Sequence, residues 1–149
     1  MSRSAKIVLS LLLSGVVVVG AAGVLVWRHL DARRASDDWL EAGKAMLRQG
    51  AREGAAMDDA GCIETGFDRL RRDASLGSLQ ARAWLEGCLA ASRPADATCT
   101  HVPRPGAVLA TRRWAVAFCG SRGFHEHRGC TGLAQTVQQH CAALAESRR

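Results

Sequence analysis

The chain has 149 residues, 48% of them hydrophobic, and a formal net charge of +6. Its arginines are scattered, and the densest group (Arg69, Arg71, Arg72) is interleaved with Asp68 and Asp73, so there is no basic stripe or nucleic-acid module. Tyrosine is absent, Ala, Leu, Arg and Gln abound, and β-branched stretches are confined to one apolar run, which together predict an all-α protein.

That run, Ile7 to Trp27, carries no charge over 21 positions, enough helix to cross a bilayer core of roughly 30 Å. The expected organisation follows from it. Residues 1–6 are a short cytoplasmic N-terminus, 7–27 a single transmembrane helix, 28–58 a juxtamembrane helix and linker, and 59–149 an extracytoplasmic helical disulfide domain. A cleaved leader is the alternative, because Val19-Gly20-Ala21 resembles a small-residue cleavage site. Continuation of the apolar residues through Val26 and an interfacial Trp27-Arg28-His29 favour an uncleaved anchor.

Flanking charge leaves orientation nearly balanced, with Arg3 and Lys6 before the run and Arg28, Arg33 and Arg34 after it. The cysteines break the tie. All six (Cys62, Cys88, Cys99, Cys119, Cys130, Cys141) lie downstream, and an even set behind a membrane-targeting segment reads as a disulfide framework in an oxidising compartment such as the periplasm.

Beyond the run, a helix is predicted over residues 30–50, with Trp39, Leu40, Gly43, Met46 and Leu47 on one face, Ser36 as N-cap and Gly50 as its stop. Residues 51–61 read as a linker. A second helix spans about 59–74 and a third about 78–92, joined at Ser75-Leu76-Gly77. All three prolines (Pro94, Pro103, Pro105) fall in 93–106, a loop. A fourth helix covers about 106–119, residues 120–129 form a Gly-rich loop, and a fifth covers about 131–147 with Leu133, Val137, Cys141 and Leu144 as its buried stripe. Trp39, Trp84, Trp114 and Phe67 are the expected core anchors.

Gly66 to Leu89 (GFDRLRRDASLGSLQARAWLEGCL) resembles a single Sel1-like repeat, a relative of the tetratricopeptide family, through Arg71, Arg72, Ala74, Gly77, Ala81 and Leu85 in order. The resemblance covers about 24 residues and departs from the family at Gly87 and Cys88, where a large residue would close the helix. It implies protein–protein scaffolding rather than chemistry, with a solenoid core needing further repeats.

Antiparallel hairpins bring residues equidistant from the turn side by side. Cys62 and Cys88 are centred on Ser75 in the predicted turn, Cys119 and Cys130 flank the 120–129 loop, and Cys99 and Cys141 are centred on Gly120. The spacing therefore points to Cys62–Cys88, Cys99–Cys141 and Cys119–Cys130, with Cys88–Cys99 as a local alternative.

Cys119, His125, His127 and Cys130 gather four zinc-type ligands within twelve residues, but at a spacing that matches no common zinc motif, so the expected reading is a histidine-bearing loop under a disulfide. Cys99 with His101, or Cys141 with His140, lacks a readable orienting acid or oxyanion site. No Cys-x-x-Cys, haem-attachment or phosphate-loop motif occurs, and no catalytic residue, cofactor or small-molecule substrate is implied. The expected function is that of a non-enzymatic, membrane-anchored interaction or assembly subunit of a cell-envelope complex. Its partners would be other membrane or envelope proteins, met through the Trp39/Met46/Leu47 face or the Sel1-like hairpin. A secreted binder and a metal- or redox-handling protein are the alternatives.

Overall fold

A computed structural model describes the backbone of residues 3–72, 77–95, 97–125 and 127–149; the side chains of 3–19, 30 and 32–37 lie outside the described residues. The architecture is all-α, with five helices among the described residues: α1 (Arg3–Gly54), α2 (Asp59–Arg72), α3 (Gly77–Ala91), α4 (Val108–Gly120) and α5 (Arg128–Ser147). The chain divides into two units, Met1–Leu40 and Glu41–Arg149.

In the first unit the backbone is helical from Arg3 onward, so the helix predicted over residues 30–50 continues the apolar run rather than starting anew at Ser36. Residues 28–40 contain no proline or glycine to interrupt it. Residues 7–19 of the apolar run and the predicted cap Ser36 lie outside the described side chains. Among the described residues, no helix is long and apolar enough to cross a membrane, so they lend the expected transmembrane helix no support. Trp39 is exposed rather than a core anchor.

The core of the second unit is built by α2, α3 and α5. Asp58 caps α2, its Oδ1 accepting from the Gly61 N–H at 2.8 Å, and Arg69, Arg71 and Arg72 occupy the last turn, where cations favour the helix dipole. Cys62, Ile63, Phe67 and Leu70 make the buried face of α2; Ala81, Trp84, Leu85 and Leu89 that of α3; Cys130, Leu133, Ala134 and Val137 that of α5. Each follows the helical repeat of three and four. Full burial of a side chain the size of Leu85 or Phe67 stabilises by about 1.5–3 kcal/mol. Only Cys119 of α4 is buried; Trp114 and Phe118 pack against the core while partly open.

Two boundaries differ from expectation for one reason. Gly50 does not end α1, and most of the supposed linker is helix, because the glycines here serve packing. A Cβ on Gly50 would stand 2.0 Å from the Trp84 carbonyl oxygen, one on Gly54 2.3 Å from the Cys88 oxygen, and one on Gly87 2.0 Å from the Leu47 oxygen. The end of α1 and α3 thus cross backbone to backbone, close enough for Cα–H···O contacts. Gly87 is also where the chain departs from the Sel1-like pattern; a large residue has no room there.

Glu53 ties three helices together at this crossing. Its carboxylate accepts from Gln49 Nε2 at 2.7 Å, Arg69 Nη2 at 3.0 Å and the Trp84 indole N–H at 3.1 Å. The Arg69 guanidinium lies 4.4 Å from the centre of the Trp84 ring, so the largest buried side chain has both its polar edge and its face partnered. The Gln49 hydrogen bond holds the Glu53 carboxyl below its ordinary value of 4.5 against the opposing effect of burial, helped by the Arg69 charge and the Trp84 N–H.

Candidate functional site

All six cysteines are paired: Cys62–Cys88, Cys99–Cys141 and Cys119–Cys130, with Cα–Cα separations of 5.8, 5.4 and 6.0 Å. These are the pairs designated by the hairpin midpoints. The first joins α2 to α3, the second fastens the proline-rich loop to α5, and the third links the end of α4 to the start of α5.

The pairing decides the chemistry of the four residues considered for metal. A zinc site draws on cysteine as thiolate, and Cys119 and Cys130 are bonded to each other. His127 is committed as the N-cap of α5, its Nδ1 accepting from the Gly129 N–H at 3.1 Å, with its ring edge against Phe124. His125 lies beside Gly120. No cluster of three or more His, Cys, Asp or Glu able to hold a metal exists among the described residues. The thiols of Cys99 and Cys141 are likewise consumed, which removes the two Cys–His pairs.

What the structure does gather here is a groove of about 880 Å³ between α4 and α5. Val108, Ala115 and Val116 of α4 form one wall and Thr131, Gln135 and Gln139 of α5 the other; Phe124, His125 and His127 line the end where the Cys119–Cys130 bridge lies. At the opposite end Gln138 pins the walls, its Nε2 donating to Thr111 Oγ1 at 2.8 Å and the Pro103 carbonyl at 2.9 Å. Val108 and Val116 remain 75% and 68% exposed. An α4 that packs the partly open Trp114 and Phe118 against the core on one side and presents valines on the other is apolar on two faces, and among the described residues only one of them is packed.

The partner surfaces expected from the sequence fare differently. Met46 packs against the core and Leu85 is fully buried, while Trp39 and Leu47 of the α1 face are exposed.

One polar cluster has no local sequence signal. Asp59, fully buried, accepts from Ser92 Oγ with Oδ1 and from the Ala95 N–H at 3.2 Å with Oδ2, and His140 Nε2 lies 3.3 Å from Oδ2. Serine, aspartate and histidine are all present, but in an order that does not make a nucleophile. A relay needs histidine between the hydroxyl and the acid, and here the hydroxyl meets the acid directly. The cluster is a clamp that fastens α2, α5 and the segment after α3. A short bridge reinforces it: Asp59 N–H donates to Arg93 O at 3.2 Å and Arg93 N–H to Met57 O at 3.1 Å.

Comparison of the chain with protein-family models, with curated proteins and with solved structures finds no match.

Proposed function

We propose that this chain is a single-pass, membrane-anchored, non-enzymatic assembly subunit of a cell-envelope complex, with its N-terminus cytoplasmic and its disulfide domain in an oxidising compartment. The observation that carries the anchor is Val24–Trp27. These four consecutive apolar residues are 57–68% exposed on α1 and continue the charge-free run that begins at Ile7. Apolar side chains in that number, on a helix long enough to span, call for a lipid or protein environment. The three disulfides support the compartment, since such bonds persist where thiols are oxidised. The half-covered α4, together with the likeness of residues 66–89 to a Sel1-like unit, supports protein binding over chemistry.

The test is fractionation of the full chain expressed behind its own N-terminus, followed by intact-mass measurement. Membrane retention after alkaline extraction, with the mass of the uncleaved chain less six hydrogen atoms for its three disulfides, is the expected result. Release of a product shortened near Ala21 would instead establish a secreted binder.

A further inference from the structure

We infer that the α4–α5 groove is the docking site for an amphipathic helix of a partner protein whose apolar stripe is flanked by carboxylates. The inference rests on reading the chain as an interaction subunit and names the partner's chemistry.

Three observations converge on that occupant. First, the walls have helical periodicity: Val108, Arg112, Ala115 and Val116 recur along α4 at the same spacings as Thr131, Gln135, Gln138 and Gln139 along α5. Two helices with facing stripes leave a trough as long as α4, 13 residues or about 20 Å, which suits a third helix laid between them. Second, the trough has apolar side chains to bury, Val108 and Val116 foremost, with amide and hydroxyl groups of Gln135, Gln139 and Thr131 at its edge. A concave site with a few polar groups fits a side-chain-bearing helix better than a flat lipid surface.

Third, the charge is one-sided. Among the described residues, Arg112 is the only fully charged one lining the groove, and none of them there is a carboxylate. Between residues 97 and 145 the sequence holds five arginines (104, 112, 113, 122, 128) and a single acid, Glu126. Arg122 is engaged by Glu64 at 2.9 Å, away from the groove, whereas Arg112 and Arg113 stand exposed on α4. Carboxylates flanking the incoming stripe would meet this basic rim, and cations there would be repelled.

The experiment uses the full chain, disulfides intact, in nanodiscs of zwitterionic lipid. It is panned against a displayed library of amphipathic helices of roughly 14 residues, matched to the length of α4, with Glu, Gln or Lys varied at the positions flanking the apolar stripe. Enrichment of Glu-flanked helices is expected. Val116→Glu should weaken the best of them at least about tenfold, as loss of a buried interface anchor does. Arg112→Glu with Arg113→Glu should invert the preference towards Lys-flanked helices. Unchanged far-ultraviolet circular dichroism and denaturation midpoint serve as the fold control, since Val116, Arg112 and Arg113 are exposed.

Lys-flanked or charge-indifferent enrichment overturns the inference, as does an absence of binders. Binders indifferent to Val116→Glu remove the groove and leave the interaction reading standing. Two other occupants are tested in parallel: sedimentation showing a dimer abolished by Val116→Glu would assign the groove to a second copy, and Val116-dependent association of the full chain, in its zwitterionic nanodiscs, with phosphatidylserine vesicles would assign it to lipid. Either result overturns the proposal. Failure of the membrane-retention test leaves the groove untouched, so the two readings fail separately.

Discussion

The carbonyl oxygen of Trp84 occupies the space that a side chain on Gly50 would need, 2.0 Å from the nearest Cβ position. A backbone atom at that distance cannot swing aside, so a methyl group at Gly50 must push α1 and α3 apart and disturb the Glu53 contacts beside them. Gly50→Ala and Gly87→Ala should each destabilise by about 3 kcal/mol or more, beyond ordinary overpacking of a core. Gly43 is the internal control on the same helix, with nothing within 4 Å of its Cβ position. Gly43→Ala should stabilise by up to about 1 kcal/mol through helix propensity alone. Urea denaturation of the three variants checks the contrast; similar shifts at positions 43 and 50 would contradict a backbone crossing.

Removing the disulfides one at a time, as paired Cys→Ser variants, should rank them by the chain they close. The sequence separations are 11 for Cys119–Cys130, 26 for Cys62–Cys88 and 42 for Cys99–Cys141. Chain entropy assigns losses of about 3, 3.5 and 4 kcal/mol respectively. Denaturation midpoints test the ranking, and proteolytic peptides mapped without reduction test the pairing. A peptide holding Cys88 bonded to Cys99 would refute it.

Asp59 is buried with Ser92, Ala95 and His140 all turned to its carboxylate. Asp59→Ala leaves the Ala95 N–H without its acceptor and Ser92 Oγ with the Leu89 carbonyl alone, and should cost about 3 kcal/mol, whereas Ser92→Ala removes one hydroxyl and should cost about 1 kcal/mol. The double variant should be no less stable than Asp59→Ala to within about 0.5 kcal/mol, because the serine hydroxyl has already lost its carboxylate acceptor and keeps only the Leu89 carbonyl of its own turn. Additive losses would show that the two side chains act independently.

Glu53 should make stability depend on acid pH. Its folded-state carboxyl is held below the ordinary 4.5, so the charged form is the one favoured by folding. The stabilisation is complete above that ordinary value and is lost as pH falls through the lowered one. Glu53→Gln should therefore be less stable than the parent chain near neutral pH by about 1 kcal/mol or less, the pair with Arg69 being partly solvated, with the difference closing as pH falls through the lowered value. Trp84 fluorescence during unfolding reports it directly. A difference that does not change with pH would assign the effect to shape rather than charge.

Much of the helical layout is legible in residue order. The buried stripes of α2, α3 and α5 repeat at three and four, the prolines confine one loop, and cysteines equidistant from predicted turns are the ones bonded. Those are local properties, or follow from local properties reflected through a hairpin. Gly50, by contrast, reads as a helix stop because the same residue type that ends helices also lets two of them touch. Only a neighbouring backbone at 2 Å distinguishes the uses. Trp39 reads as core by its size, yet burial depends on what another element brings to it, and its side chain is about half exposed.

By itself the sequence determined that the protein is helical, that a charge-free run precedes a cysteine-bearing domain, and that acids are nearly missing from its last third. Composition and periodicity suffice for these because each is set by residues close together in the chain. The tertiary structure decided that Asp59 meets Ser92 and His140, that α1 and α3 cross at their glycines, and that α4 keeps an apolar face open beside α5. Those contacts join segments distant in sequence, and their energies come from shape and burial that no local pattern encodes.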